Sequence, residues 1–203
     1  MIYLRHHLCY LKSPATMTDG EETAFFEQWV AQGFPLICTR QPNPLPPSQI
    51  QLAIPHVDHN TQRKCRFSFK IAKKNIATVV ELPTMAEVFP NRLFKQSGAV
   101  KVFGSYCWQY LTGQPYVHSA SDLDLLIPYE QQSLRELSDC LINLKALLNS
   151  QRIDGEVRFQ RFGDCALLEL LDFKTNDILF KTLQEVTLVS RDVLYANFPT
   201  LSA

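Results

Sequence analysis

Two aspartates in a short apolar segment are the clearest sign of chemistry in this sequence. Asp122 and Asp124 flank one leucine in DLDLLI, which otherwise has the composition of a buried β-strand. Alternate side chains of a strand share a face, so the two carboxylates would lie about 7 Å apart on that face. Ionised carboxylates repel each other and are costly to desolvate unless a cation compensates them. Because Mg²⁺ prefers hard oxygen ligands and commonly joins them to substrate phosphates, the pair predicts a magnesium site.

A Gly-Ser pair upstream supplies a complementary anion site. Gly104 and Ser105 lie where AVKVF, a predicted strand, meets SYCWQYL, a predicted helix. Glycine lets the backbone approach a ligand closely, and the first amides of a helix attract anions. A phosphate held there could share its oxygens with a metal on the aspartates. The Gly-Ser pair and the Asp-x-Asp pair are each unspecific alone. A strand, a Gly-Ser, a helix, a loop and a strand with Asp-x-Asp, in that order, form a more specific pattern.

A further carboxylate follows later in the chain. Asp154 and Glu156, in IDGEVRF, alternate on one face of another predicted strand, and the sequence does not choose between them. In an arbitrary protein an Asp-x-Asp strand is more often a solvated surface pair, and a turn aspartate beside an exposed glutamate is an equally ordinary arrangement. The preceding strand, Gly-Ser and helix favour the metal interpretation for Asp122 and Asp124.

The elements that must position these residues form a predicted strand–helix–strand–helix–strand module. Its strongest helix is predicted over residues 130–150, where six leucines follow helical spacing. IDGEVRF and CALLELLDF are interpreted as the strands of a hairpin that turns at residues 161–164. ILFKT is interpreted as a further short strand. The predicted fold class is α+β.

The N-terminal part predicts a smaller α+β module. A helix is predicted over residues 21–32, with Thr18 or Asp19 as its N-cap and Gly33 at its end. The four prolines of QPNPLPPSQ predict a loop. One helix or two short helical turns are predicted in PTMAEVFPNRLFKQS. Strands are predicted in PLICTR, QLAIPHV and RKCRFSFKIAKK.

Composition and charge exclude several classes of protein. The 203 residues are 46% hydrophobic, and 20 basic residues balance 20 acidic ones. This balance does not suggest a general binder of nucleic acid or membrane surfaces. No apolar run approaches the roughly 18 to 20 residues that span a bilayer, and the charged N-terminus makes a poor signal peptide. Six scattered cysteines lack the spacing of zinc or redox motifs. We therefore expect a cytoplasmic protein with reduced thiols.

The motif order resembles the nucleotidyltransferase superfamily that includes DNA polymerase beta. That superfamily has a Gly-Ser, then Asp-x-Asp on the next strand, then a third acidic residue on a later strand. The resemblance implies a mixed sheet with flanking helices over residues 86–203, beside the smaller N-terminal module over residues 1–85. It also implies one or two Mg²⁺ ions held by Asp122 and Asp124, with Asp154 or Glu156 as the third carboxylate.

A longer set of segments resembles one small family, the phosphoribosyl-dephospho-CoA transferases of malonate decarboxylase, also called malonate decarboxylase holo-acyl-carrier-protein synthases. Its segments here are RHHLCYL, WVAQGFPLICTR, VFGSYCWQYLTGQPYVHSASDLDLL, IDGEV and ILFKT. Residues 104–126 are its most specific part. The resemblance implies transfer of the phosphoribosyl-dephospho-CoA part of 2'-(5''-triphosphoribosyl)-3'-dephospho-CoA to a serine of the acyl-carrier subunit, with release of diphosphate.

The resemblance also gives individual residues roles. Asp122 and Asp124 would bind Mg²⁺, a second metal would extend to Asp154 or Glu156, and one of these carboxylates is an alternative general base. The candidate substrate-binding residues are Gly104, Ser105, His118, Ser121 and Lys181. The basic run over residues 63–74 is either a docking surface for the anionic carrier or CoA group, or a solvated strand face.

Two alternatives have different consequences. One is a nucleotidyltransferase of the same fold that uses ATP and acts on another small molecule or protein. The other is a non-catalytic, antitoxin-like or scaffold protein on a decayed form of that fold. Decay usually removes the carboxylates first, and here both acidic pairs are present.

Overall fold

The chain folds into two compact units, each built around one sheet. A computed structural model describes residues 2–12, 21–58, 63–91, 99–148 and 152–202. The N-terminal unit comprises Met1–Leu82, Leu111–Gly113 and Leu183–Glu185. The C-terminal unit comprises Pro83–Tyr110, Gln114–Thr182 and Val186–Ala203. The predicted α+β class is confirmed. None of the helices in these described ranges is long and apolar enough to cross a membrane.

The N-terminal unit contains an antiparallel five-stranded sheet in the order β4-β3-β2-β1-β5. Its elements are β1 (Leu8–Leu11), α1 (Glu21–Ala31), β2 (Leu36–Cys38), β3 (Gln49–Asp58), β4 (Arg63–Ala72), a 3₁₀ turn (Lys73–Asn75) and β5 (Ile76–Val80). The strands predicted in PLICTR, QLAIPHV and RKCRFSFKIAKK are confirmed, and the proline-rich segment before β3 is a loop as predicted.

Helix α1 packs its apolar side against the sheet. Phe26 is fully buried, and its ring lies 4.8 Å from that of Phe69 on β4. The helix ends before Gly33, whose φ of 75° lies in the left-handed region that favours glycine. The predicted helix and its end are confirmed, whereas the predicted caps, Thr18 and Asp19, lie outside the described residues.

The C-terminal unit contains a six-stranded sheet in the order β11-β10-β9-β8-β7-β6. Only β7 and β8 pair in parallel among these described strands. Strand–helix–strand–helix–strand is the observed order of β6, α3, β7, α4 and β8, as predicted. The elements are α2 (Met85–Val88), β6 (Lys101–Phe103), α3 (Gly104–Thr112), β7 (Leu123–Pro128), α4 (Leu134–Leu147), β8 (Ile153–Phe159), β9 (Gly163–Ala166), α5 (Leu167–Leu171), β10 (Asp177–Lys181), β11 (Val186–Ser190), α6 (Arg191–Asn197) and a 3₁₀ turn (Pro199–Ser202).

Helix α4 begins later than the predicted start at residue 130 because Ser133 caps it. The Ser133 hydroxyl accepts a hydrogen bond from the Glu136 amide, and the Glu136 carboxylate accepts one from the Ser133 amide. This reciprocal arrangement satisfies backbone donors that would otherwise be unpaired at a helix start. Four leucines of the predicted stripe are buried within the helix: Leu134, Leu137, Leu141 and Leu144.

The strand predicted over CALLELLDF is wrong beyond Ala166. The hairpin of β8 and β9 forms as expected, but the chain then turns into helix α5. Leu167 and Leu170 are buried while Leu168 is 55% exposed. This is i, i+3 spacing, which a helix satisfies and a strand does not. Leucine also has a high helix propensity, so a continuous apolar run did not distinguish the two structures.

Truncating the leucines of α5 tests this correction. Leu170→Ala should lower the free energy of unfolding by about 2–5 kcal/mol because it leaves a cavity at a fully buried position. Leu168→Ala should change it by less than about 0.5 kcal/mol. Chemical denaturation of both variants measures the difference. Equal losses would instead support a strand, in which positions 168 and 170 share one face.

The sheet of the C-terminal unit has one apolar and one charged face. The apolar face is buried and carries Leu123, Leu125, Ile127, Val157, Phe159, Cys165 and Phe180. Strand alternation and register place the charged residues on the other face. These are Asp124, Asp154, Glu156, Arg158, Asp164 and Lys181. The predicted orientation of the apolar side chains of β7 is confirmed.

Candidate active site

Gly104 forms a close-fitting cradle for the carboxylate of Asp124. Strand β6 runs antiparallel to β7 and pairs Phe103 with Asp124, which brings the start of α3 beside that aspartate. A Cβ atom at Gly104 would overlap the Asp124 carboxylate. Gly104 also has a φ of 65°, a conformation that other residues adopt only with strain. Ser105, the next residue, is buried. Glycine is thus required here both by backbone conformation and by the neighbouring carboxylate.

Asp122 lies one residue before β7 and forms an ion pair with Arg152. The Arg152 Nη2 donates a hydrogen bond of 3.0 Å to Asp122 Oδ2. The Arg152 Nε lies 2.8 Å from Asp122 Oδ1, yet this buried oxygen accepts no hydrogen bond. The guanidinium therefore covers both oxygens of Asp122, although only the contact to Oδ2 has hydrogen-bond geometry.

An open cleft of about 660 Å³ brings carboxylates and cations together at the beginning of β7 and β8. Its charged lining residues are Asp122, Lys145, Arg152 and Asp154. Lys145 comes from the last turn of α4, while Arg152 directly precedes β8. Such a cleft offers oxygen ligands for a cation and positive groups for an anion in one place.

The two candidates for the third carboxylate have different surroundings. The parallel register pairs Asp154 with Asp124 and Glu156 with Leu126. Asp154 is exposed and lines the cleft with Asp122. Glu156 is only 8% exposed, and its Oε1 lies 3.0 Å from Lys181 Nζ. Asp154 is therefore the carboxylate beside the predicted metal pair.

The remaining predicted substrate-binding residues lie in two places. Lys181, on β10, is engaged with Glu156. His118 is exposed in the loop before β7, and its Nδ1 accepts a hydrogen bond of 3.2 Å from the Ala120 amide. Ser121 is buried, and its hydroxyl accepts a hydrogen bond of 3.1 Å from the His118 amide. The hydrogen bond to His118 holds the loop immediately before Asp122.

Asp122 and Asp124 supply carboxylate oxygens of the kind that Mg²⁺ prefers, without forming a closed cage. Gly104 leaves room for the Asp124 carboxylate, and the Asp122 carboxylate is paired with an exposed arginine, Arg152. No three of Asp122, Asp124, Asp154 and Glu156, all of them described, bring ligand oxygens within 4.8 Å of one another. One or two carboxylates completed by water and substrate phosphates are the usual protein environment of Mg²⁺.

Sequence reasoning missed the arginine partners of two acids. Besides Arg152 on Asp122, Arg158 binds Asp164 through both carboxylate oxygens, at 2.7 and 2.9 Å. Asp164 is 2% exposed, so this bidentate pair compensates a buried charge. Alternation within IDGEVRF places Arg158 on the face of Glu156, but no sequence signal identifies the residue opposite it across the hairpin.

Comparison with known families covers nearly the whole chain. Residues 4–81 match the phosphoribosyl-dephospho-CoA transferase MdcG N-terminal domain, and residues 74–192 match the MdcG C-terminal domain. No solved structure shows a significant match.

Individual relatives carry the same name, phosphoribosyl-dephospho-CoA transferase. The relative from Xanthomonas euvesicatoria pv. vesicatoria (strain 85-10) is 29% identical in an alignment 216 positions long, which covers 98% of each chain. The relative from Xanthomonas axonopodis pv. citri (strain 306) is 29% identical in an alignment 220 positions long, which again covers 98% of each chain. One from Bradyrhizobium diazoefficiens is 30% identical over 99 residues, which cover 48% of this chain and 42% of the relative. These matches confirm the predicted transferase and set aside the non-catalytic alternative. The chain belongs to the phosphoribosyl-dephospho-CoA transferase family.

Proposed function

We propose that this enzyme works in the cytoplasm and modifies the acyl-carrier subunit of malonate decarboxylase. It transfers the phosphoribosyl-dephospho-CoA group of 2'-(5''-triphosphoribosyl)-3'-dephospho-CoA to a serine of that carrier. The family match over both units supports the transferred group. The single observation that carries the chemistry is the Asp124 carboxylate, which lies against Gly104 and is paired across the sheet with Asp154, a residue that lines the cleft.

The reaction is a substitution at phosphorus. The serine Oγ forms a new bond to the innermost phosphorus of the triphosphate, and the bond from that phosphorus to the bridging oxygen breaks. Diphosphate leaves with the bond electrons, and the product is a phosphodiester. The hydroxyl proton passes to a base, for which the exposed Asp154 is the candidate nearest the pair.

Asp122 and Asp124 are the residues that would hold Mg²⁺, with Asp154 available to a second ion. Bound there, Mg²⁺ would neutralise charge on the triphosphate and on the leaving diphosphate. Gly104 leaves room for the Asp124 carboxylate beside it, and the amides that follow at the start of α3 suit an anion. Asp122 contributes a carboxylate whose ion-pair partner, Arg152, is exposed.

The C-terminal unit is proposed to be a nucleotidyltransferase fold. Its strands β6, β7 and β8 lie side by side, with α3 and α4 as the connections between them. Gly104-Ser105 begins the first helix, Asp122 and Asp124 lie at the start of the middle strand, and Asp154 lies on the third. His118, Ser121 and Lys181 stay predicted substrate contacts, and Lys181 would have to leave Glu156 to reach a phosphate.

Two matched variants identify the third carboxylate. Asp154→Asn should lower the transfer rate by about 10²-fold or more, because it removes a base or ligand beside Asp124. It should leave the unfolding free energy within about 0.5 kcal/mol, because Asp154 is exposed. Glu156→Gln should instead cost about 1–3 kcal/mol of stability by neutralising the partner of Lys181, with a smaller loss of rate. Steady-state kinetics and thermal melting separate the two, and the reverse pattern would contradict the assignment of Asp154.

A transfer assay tests the proposed function. Purified enzyme is incubated with Mg²⁺, the apo form of the acyl-carrier subunit, and either ATP or the triphosphoribosyl precursor. Intact-mass spectrometry of the carrier should show addition of the phosphoribosyl-dephospho-CoA group from the precursor and no addition from ATP. Replacing the acceptor serine of the carrier by alanine should abolish the addition. Nucleotide addition from ATP alone would contradict the proposal and support the ATP-using alternative.

A further inference from the structure

Arg152 forms an ion pair with Asp122, one of the two carboxylates proposed to hold the metal. Both ends of its guanidinium face Asp122, at 2.8 Å from Oδ1 and 3.0 Å from Oδ2. Its side chain is nevertheless 76% exposed, and Asp122 is its partner among the described residues. A long, exposed side chain that holds a metal ligand is placed to move when that ligand acquires another partner.

We infer that Arg152 is a phosphate-binding residue that Asp122 holds until a divalent cation displaces it. This inference rests on the proposed function, because it uses the same carboxylate pair and the same triphosphate. Once a cation takes Asp122, the freed guanidinium lies in the cleft where the phosphates would bind. Its planar fork of donors matches two phosphate oxygens at once.

The cleft contains a second positively charged side chain, Lys145, that could bind the same phosphates. Lys145 lines the cleft with Arg152 and has no hydrogen-bond or ion-pair partner within the described ranges. Its position in the last turn of α4 also suits the negative end of the helix dipole. Together, Lys145 and Arg152 form a positive wall next to Asp122 and Asp154. A polyphosphate bridged by a cation complements both signs of charge.

Replacing Arg152 by a divalent cation at Asp122 should cost little free energy. An ion pair with a solvent-exposed arginine contributes little, so a cation that binds Asp122 loses only a small part of its affinity in displacing Arg152. The guanidinium cannot lose its proton, so it must find another anion or water. Metal and phosphate binding therefore become coupled through one side chain.

Binding measurements with the metal-free enzyme test this coupling. Mn²⁺ is titrated into the wild type and Arg152→Ala, with free Mn²⁺ followed by electron paramagnetic resonance. Inorganic tripolyphosphate is then titrated calorimetrically in the presence of saturating Mg²⁺. Arg152→Ala should bind Mn²⁺ about twofold to fivefold more tightly, because the competitor is gone. It should bind tripolyphosphate about tenfold to hundredfold more weakly. Arg152→Lys should fall between the two proteins in the second titration.

Opposite changes in the two affinities are a signature that a merely structural arginine would not give. Arg135→Ala, an exposed arginine in the first turn of α4, is the charge-matched control and should alter neither affinity. Unchanged or weaker Mn²⁺ binding by Arg152→Ala overturns the inference, and carrier modification by the wild type would then leave the proposed function intact. Unchanged tripolyphosphate binding overturns it equally. A wild type that binds no Mn²⁺ would overturn both the inference and the proposed metal site.

Discussion

Asp122→Asn should lower the rate of group transfer by at least about 10³-fold while the enzyme remains folded. The amide keeps the shape of the side chain but removes the negative charge that would hold Mg²⁺ beside the triphosphate. Loss of several kcal/mol of transition-state stabilisation corresponds to this factor. The fold should persist because the Arg152 pair that the substitution weakens is exposed and contributes little. Single-turnover transfer kinetics and thermal melting measure the two properties.

Asp139→Asn is the matched control for this substitution. Asp139 is an exposed aspartate of α4 outside the lining of the cleft. The same change of charge at this position should leave the transfer rate within about twofold, because exposed charges outside a site are largely screened. A near-normal rate in Asp122→Asn would remove Asp122 from the reaction. An equal loss in both variants would mean that net charge, rather than a metal ligand, controls the rate.

Gly104→Ala should lower kcat/KM by about 10²-fold or more. The new methyl group would overlap the Asp124 carboxylate, so either the carboxylate or the start of α3 must move. Displacing a reacting group by about 1 Å is enough for a loss of this size. The left-handed backbone at Gly104 adds a strain of about 1–2 kcal/mol for any other residue. Kinetics with saturating and limiting Mg²⁺ should show a raised metal requirement.

Gly113→Ala separates backbone strain from the contact with Asp124. Gly113 has a φ of 69°, close to the 65° of Gly104, but a Cβ atom there would meet nothing within 4 Å. The two variants should therefore share the loss of stability that comes from backbone strain, whereas only Gly104→Ala should also lose activity. Similar kinetics for both variants would show that the cradle does not matter for catalysis.

The sequence was most informative where one local interaction determines the structure. Gly33 ends α1 in the conformation that glycine prefers, and the leucines of α4 show a helical period that no strand could bury. The Gly104 and Asp124 motifs were recognisable by type and order, although their direct contact was not. That contact depends on the antiparallel register of β6 and β7, which joins residues twenty positions apart.

Features set by tertiary neighbours were not predictable from local patterns. α5 follows a run of leucines that suits a helix or a buried strand equally, and only the buried positions of Leu167 and Leu170 decide between them. Strand β11 carries exposed apolar residues on an edge and lacks a clear alternation. The Arg152–Asp122 pair joins residues thirty positions apart, each immediately before one of two parallel strands, and the spacing of residues in the sequence does not indicate it.

The location of a bound divalent cation tests the central claim most directly. Crystals of the enzyme grown with Mn²⁺ and a non-hydrolysable triphosphate should give an anomalous scattering peak at the start of β7. The account predicts that oxygens of both Asp122 and Asp124, together with oxygens of the triphosphate, coordinate that peak. A cation found away from both carboxylates, with the triphosphate bound outside the cleft, would contradict it.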